Sequence, residues 1–112
     1  MGLRATIRTL GLIVALSGCE QTIKVADDVA RRSAKAAVAE TLATRFTTVP
    51  NAVVTPFSDC VIDNASGREI AKFAKDAVIG VDETTAVLIR SVLARPQTQQ
   101  CVAKAGLAAL AA

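Results

Sequence analysis

Apolar side chains recur at helical spacing along most of this 112-residue chain. The segment from Ile23 to Phe46 contains no Gly or Pro, and it predicts a long helix. Its two apolar arcs are Val25, Val29, Ala36, Ala39, Ala43, Phe46, and Ile23, Ala26, Ala30, Ala34, Ala37. Most of these residues are alanine, which buries little area, so the stripe is weak. This helix is therefore a candidate to reach beyond the core, toward the membrane or a partner.

Four shorter helices are predicted next, because each is preceded by residues that start or cap helices. The start signals are Thr55-Pro56, Ser66-Gly67-Arg68-Glu69, Asp82-Glu83 and Arg95-Pro96. Ser66 and Glu69 have the spacing of a capping box, and Gly80 has the position of a helix-ending glycine. The pattern predicts an all-α fold, in which a long N-terminal helix and about four short ones form a small bundle.

The short helices each present one apolar face to the predicted core. The predicted inward residues are Phe57, Cys60, Val61, Asn64; Ile70, Phe73, Ala74, Ala77, Val78; Leu88, Ile89, Val92, Leu93; and Cys101, Val102, Ala105. Cys60 and Cys101 thus lie on inward faces of different helices. A disulfide between them requires Cα atoms less than about 7 Å apart.

The N-terminal segment has a basic start and a short apolar run. Arg4 and Arg8 precede an uncharged stretch from Thr9 to Cys19. As a helix this stretch would be about 16 Å long, whereas a bilayer's hydrocarbon core is about 30 Å thick. It is too short to span a membrane, and the pattern is typical of a secretory signal peptide.

The end of that run, Leu16-Ser17-Gly18-Cys19, resembles the lipobox of bacterial lipoproteins. The resemblance implies a diacylglycerol on the Cys19 thiol and cleavage before Cys19. Residues 1–18 would then be a signal peptide and 19–112 a single small helical domain, with 19–22 as the lipid-attachment segment. An uncleaved signal anchor is the alternative. Glu20, where an Asp would favour inner-membrane retention, favours the outer membrane and a body that faces the periplasm.

Removal of the leader changes the charge and the cysteine count. The remaining 94 residues carry eleven basic and ten acidic side chains, so nucleic-acid binding loses its electrostatic basis. With Cys19 lipidated, Cys60 and Cys101 remain as a pair in the oxidising periplasm. A disulfide there is worth about 4 kcal/mol. Two free buried thiols or a redox-active pair are the alternatives.

Few residues have the chemistry of a catalytic or metal site. The chain has no histidine, which excludes Ser-His-Asp triads, Cys-His dyads and most zinc sites. Asp59 and Asp63 are an i,i+4 carboxylate pair that could do acid–base work or hold a cation, but a solvated helix face opposite the core is the favoured interpretation. No enzyme activity and no cofactor are therefore expected.

One basic cluster, Arg31, Arg32 and Lys35, lies on the first helix. It could contact lipid phosphates or an acidic protein partner. Alternatively it is a solvated face, balanced by Asp27 and Asp28 on the same helix.

The stretches Asp59–Ser66 and Arg95–Val102 are similar to short exported proteins of alphaproteobacteria, which sometimes carry a succinate dehydrogenase label. The sequence does not support that activity, since it has no histidine for haem or flavin and no cysteine set for iron–sulfur clusters. We expect a lipid-anchored, non-enzymatic binding or accessory module with a protein partner. The alternative is a small membrane-active lipoprotein of the lysis or toxin-associated type.

Overall fold

The computed structural model describes residues 26–111, and side chains as far as residue 109. Within this range the chain forms five helices and no strand: α1 (26–45), α2 (Asn51–Asp63), α3 (Gly67–Ile79), α4 (Glu83–Leu93) and α5 (Pro96–Ala111). The predicted all-α class is confirmed. The predicted signal peptide 1–18 and the attachment segment 19–22 with Cys19 lie outside the described residues.

The prediction of a long first helix is corrected. The described helix covers residues 26–45 and ends before Phe46, and the predicted start at Ile23 lies outside the described residues. Its inner face is buried: Ala34, Ala37, Val38, Thr41 and Leu42 are at most 1 % exposed. Residues 34–42 of α1 are therefore part of the bundle core.

The predicted caps of α3 and α4 are confirmed. The Ser66 hydroxyl accepts a hydrogen bond from the Glu69 amide (3.2 Å), and the Glu69 carboxylate accepts one from the Ser66 amide (2.8 Å). The Asp82 carboxylate accepts from the amides of Thr84 (2.9 Å) and Thr85 (3.3 Å). These bonds satisfy amides that have no partner within their own helix.

Gly80 ends α3, as predicted. Its φ of +107° is one that residues with a side chain rarely adopt. In that conformation its amide donates to the Asp76 carbonyl (2.8 Å), and the chain turns into Asp82. Glycine is therefore required here by backbone geometry.

The predicted start of α2 at Thr55-Pro56 is wrong. The helix begins at Asn51, directly after an extended Pro50 (φ −63°, ψ 144°), and continues through Pro56. Proline in a helix interior removes one amide donor, here the one that would reach the Ala52 carbonyl. Ala52 is exposed in the first turn, where solvent can satisfy that carbonyl, so the helix tolerates Pro56.

Ion pairs show that α1 and α2 run antiparallel. Arg31 near the start of α1 lies 3.1 Å from Asp63 at the end of α2, and Lys35 lies 3.0 Å from Asp59 one turn away. One end of the bundle thus carries the start of α1 and the turn between α2 and α3.

α5 also runs antiparallel to α2. Cys101 is bonded to Cys60, and Gly106 lies beside the ring of Phe57, closer to the start of α2. At the opposite end of the bundle, Arg45 of α1 lies 3.2 Å from Glu83 at the start of α4.

The core lies where α1, α2, α3 and α4 meet. Its largest fully buried apolar side chains are Phe73, Leu42, Ile62, Ile89, Val38, Val61 and Val92. Of the predicted α4 face, Ile89 and Val92 are fully buried, whereas Leu88 and Leu93 are half-buried.

The predicted α3 face is partly wrong. Phe73 is buried as expected, but Ala77 is exposed and Val78 is 84 % exposed. Asp76, three residues after Phe73, takes the inward position instead and is 1 % exposed. The reason is a hydrogen-bond network to α4, which satisfies this carboxylate within the bundle.

Candidate functional site

Cys60 and Cys101 form the disulfide that links α2 to α5, with Cα atoms 5.6 Å apart. Cys60 is buried and Cys101 half-buried, which confirms the predicted inward faces. Val102 and Ala105 of α5 are also only half-buried, and Thr98 is the one fully buried residue among 96–109. The disulfide therefore holds a helix that contributes little apolar burial of its own.

The predicted basic cluster is divided between contacts within the chain and solvent. The side chains of Arg31 and Lys35, 43 % and 40 % exposed, pair with Asp63 and Asp59 of α2. Arg32 is exposed, and no ion pair of Arg32 occurs within the described residues. Arg31 is thus balanced by α2 rather than by the aspartates of its own helix. The same contacts explain Asp59 and Asp63, which are half-solvated yet paired.

A second charged cluster, which the sequence did not reveal, joins the α2–α3 turn to the start of α5. The Arg95 guanidinium donates to both carboxylate oxygens of Glu69, at 2.9 and 2.7 Å, and to the Asn64 carbonyl at 2.7 Å. The hydrogen bonds from Arg95 and from the Ser66 amide lower the pKa of Glu69 from 4.5 to about 2. Glu69 therefore serves as both helix cap and ion-pair partner.

A third cluster lies between α3 and α4 around the buried carboxylate of Asp76. Lys72 donates to both oxygens of Asp76, at 2.6 and 2.8 Å, and the Thr85 hydroxyl donates at 2.7 Å. Hydrogen bonds from Thr84, and from the Thr85 amide, lower the pKa of Asp82 beside it. Each acidic group here has a partner from its own or the neighbouring helix, so the cluster holds the α3–α4 hairpin together.

Open clefts lie on the surface of the described residues. A cleft of about 470 Å³ lies between the start of α1 and the α2–α3 turn, lined by Asp27, Ala30, Arg31, Ala65, Gly67, Ile70 and Ala71. A more apolar groove of about 440 Å³ lies along α4, lined by Lys72, Glu83, Thr84, Val87, Leu88 and Ser91. Neither contains a pair of groups arranged for nucleophilic or acid–base catalysis.

Residues 26–111 contain no group of three or more His, Cys, Asp or Glu side chains that could bind a metal ion. Over the same residues, no helix has the length and apolarity needed to cross a bilayer.

The outward face of α4 combines charge and exposed apolar surface. Glu83, Val87 and Arg90 follow each other at i, i+4 and i+7, and Val87 is 54 % exposed. Arg90 reaches back to Glu83 (3.1 Å) and also lies over the ring of Phe46, 5.4 Å from its centroid. This face, the groove along α4 included, is called the α4 face below.

Comparison with protein-family models, with curated proteins and with solved structures found no match to this chain. The cysteine count and the capping motifs predicted the disulfide and the capping residues of α3 and α4, but nothing in the sequence predicted the Glu69–Arg95 pair, whose members are 26 residues apart. The i, i+4, i+7 spacing of Glu83, Val87 and Arg90 can be seen in the sequence, but the sequence does not show that Val87 is exposed.

Proposed function

We propose that this protein is a bacterial envelope lipoprotein, anchored through Cys19, whose helical body is a non-enzymatic binding module facing the periplasm. The supporting observation is the cysteine pairing. Cys60 and Cys101 are joined to each other. Of the three cysteines in the chain, this leaves Cys19, which stands in the motif Leu16-Ser17-Gly18-Cys19.

The disulfide itself supports an oxidising compartment. Stable structural disulfides are typical of exported proteins and rare in the bacterial cytosol. Lipid modification of a thiol and export across the inner membrane are parts of the same pathway in lipoproteins, so the two features support one location. Two or more acyl chains are enough for stable attachment to a membrane.

The polar clusters support binding rather than catalysis. Glu69 and Asp82 cap helices, and Asp76 joins α3 to α4. Each cluster has a structural role that accounts for its hydrogen bonds. The exposed side chains of α1 and the α4 face are among the surfaces left for a function.

The anchor is tested by mass spectrometry of the full-length protein isolated from bacterial membranes. We expect the mature N-terminus at Cys19, a mass increase for diacylglycerol or three acyl chains, and one disulfide. A Cys19→Ala variant should lose the lipid and leave the membrane fraction. The matched control, Cys60→Ala with Cys101→Ala, should keep the lipid. An intact Met1 without fatty acid would contradict the anchor.

The basic cluster is the proposed contact for lipid phosphates or an acidic protein partner. Arg32 is its most exposed member, and the outer parts of Arg31 and Lys35 extend the same surface. Limited proteolysis in native membranes and after purification tests a partner contact. A bound partner protects α1 in membranes only, and Arg32→Ala should abolish that protection, whereas Arg68→Ala, an exposed arginine on α3, should not. Equal protection in both preparations would contradict the contact.

A further inference from the structure

Among the described side chains, four of the five that are large, apolar and exposed lie on α3, α4 and α5, and one of them is central to a charged helix face. They are Val78, Ile79, Val87 and Leu107, with Val29 of α1 as the fifth. Val87 stands between Glu83 and Arg90 on one face of α4, with the half-buried Leu88 and the small residues Thr84 and Ser91 beside it. Small flanking side chains allow another helix to approach closely.

The order of charges along the α4 face is self-complementary. An acidic residue lies one turn before Val87, and a basic residue lies about one turn after it. An antiparallel copy of α4, related by a two-fold axis through Val87, would place Glu83 of each copy beside Arg90 of the other. A parallel copy would place like charges together, which is unfavourable. In a two-fold interface the same patch is used by both subunits.

We propose that the α4 face is a two-fold interface between two copies of this chain. Val87 packs against Val87 of the second copy at the axis, and Leu88 and the groove wall at Lys72 surround it. The two Glu83–Arg90 pairs form across the interface. Each pair between the copies replaces a solvent-exposed Glu83–Arg90 pair within one chain. This exchange costs little, because exposed pairs contribute at most about 1 kcal/mol.

The α1 surface is a poorer interface between copies. Its exposed apolar side chain, Val29, is not flanked by opposite charges in self-complementary order. The length of α1 also separates the α4 face from the start of that helix. Arg45, which contacts Glu83, lies at the opposite end of the twenty-residue α1, about 30 Å away.

Pairing of two α4 faces does not require the lipid anchor of the proposed function. Lipid attachment adds one geometric consequence. If both copies are anchored in the same leaflet with the two-fold axis along the membrane normal, α4 must lie roughly parallel to the membrane.

The test uses charge reversal on the full-length protein, with association measured by sedimentation velocity in mild detergent and by chemical crosslinking in membranes. The wild-type chain should form dimers. Glu83→Arg and Arg90→Glu should each weaken self-association about ten-fold or more, since each places like charges together at two symmetric positions. An equimolar mixture of the two variants should dimerise again.

The mixture separates contacts between chains from contacts within a chain. Both variants have lost the internal Glu83–Arg90 pair, so recovery on mixing can come only from pairing between copies. Val87→Asp should abolish the dimer, whereas the matched control Val29→Asp on α1 should leave it unchanged. Circular dichroism checks that each variant remains folded.

A monomeric wild-type chain, or a mixture that stays monomeric, would overturn the proposal. So would a wild-type dimer that Val87→Asp leaves intact, or crosslinks from α4 to a different protein. Dimerisation of the unlipidated Cys19→Ala chain is expected as well, so failure of the anchor and failure of the interface give different results.

Discussion

The two neighbours of α2 are held to it in different ways. α1 contributes buried Val38 and Leu42 to the shared core, and its charged pairs with α2 lie outside that core, half in solvent. α5 has one fully buried residue among 96–109, Thr98, and is held by the disulfide and by Arg95. One interface thus depends mainly on apolar packing, and the other on a covalent bond and a charged hydrogen-bond network.

The difference shows how a small, alanine-rich domain becomes stable. Domains of this size bury a limited apolar area, and a disulfide can supply a large share of the few kcal/mol that separate folded from unfolded. Charged pairs contribute according to their surroundings: partly buried and bidentate pairs are strong, whereas exposed pairs are weak. Four predictions test this comparison, from the largest effect to the smallest.

Removal of the disulfide should have the largest effect. A Cys60→Ala, Cys101→Ala chain should lose about 4 kcal/mol in free energy of unfolding, because the unfolded chain is no longer closed into a loop. Urea unfolding at pH 7 measures the loss. Reductant should destabilise the wild-type chain by a similar amount and leave the variant unchanged. A loss of less than about 1 kcal/mol in the free energy of unfolding would mean that packing alone holds α5 against α2.

Truncation of the α1 core should come next. Leu42→Ala should cost about 3 kcal/mol, because Leu42 is fully buried and the cavity cannot close completely. The matched control on the same helix is Val29→Ala, at a 56 % exposed position, which should change stability by less than about 0.5 kcal/mol. Equal losses for the two variants would contradict the packing described for α1.

The Glu69–Arg95 pair should make stability depend on pH. The pKa of Glu69 falls from 4.5 to about 2 on folding, so its contribution is complete above pH 4.5 and is lost as pH falls toward 2. Glu69→Gln should cost about 2 kcal/mol at neutral pH. The substitution should also make the free energy of unfolding depend less steeply on pH between 4.5 and 2.

Unfolding by urea at pH 7, 4.5, 3 and 2 checks this dependence. Arg95→Gln serves as the companion variant, and it should flatten the profile less than Glu69→Gln does, because the Ser66 amide still lowers the pKa of Glu69. If the free energy of unfolding still falls as steeply with pH in both variants, other carboxylates cause the acid sensitivity.

The exposed pairs between α1 and α2 should have the smallest effect. Asp59→Asn with Asp63→Asn should cost less than about 1 kcal/mol in total, and the difference should disappear in 1 M salt. Parallel urea titrations in low and high salt measure it. A salt-independent loss of several kcal/mol would show that these pairs hold α1 in place.

Local signals in the sequence predicted much of the fold. The Ser66–Glu69 capping box, Gly80 and Asp82 act within a few residues, so they could be read directly. The start of α2 was mispredicted because Thr55-Pro56 matches a local start signal, while the actual start depends on Pro50 and on solvent access at Ala52. The inward position of Asp76 could not be predicted, because it requires Thr85 and Lys72 to surround it.

The sequence by itself determined the all-α class, the capping of α3 and α4, and the cysteines available for pairing. These features depend on residue spacing and backbone preference, which are local. Tertiary structure alone decided that Arg31 and Lys35 face α2, that Arg95 binds Glu69, and that Val87 is exposed between opposite charges. Those outcomes depend on which helices pack together, since burial and partner distance are properties of the assembled bundle.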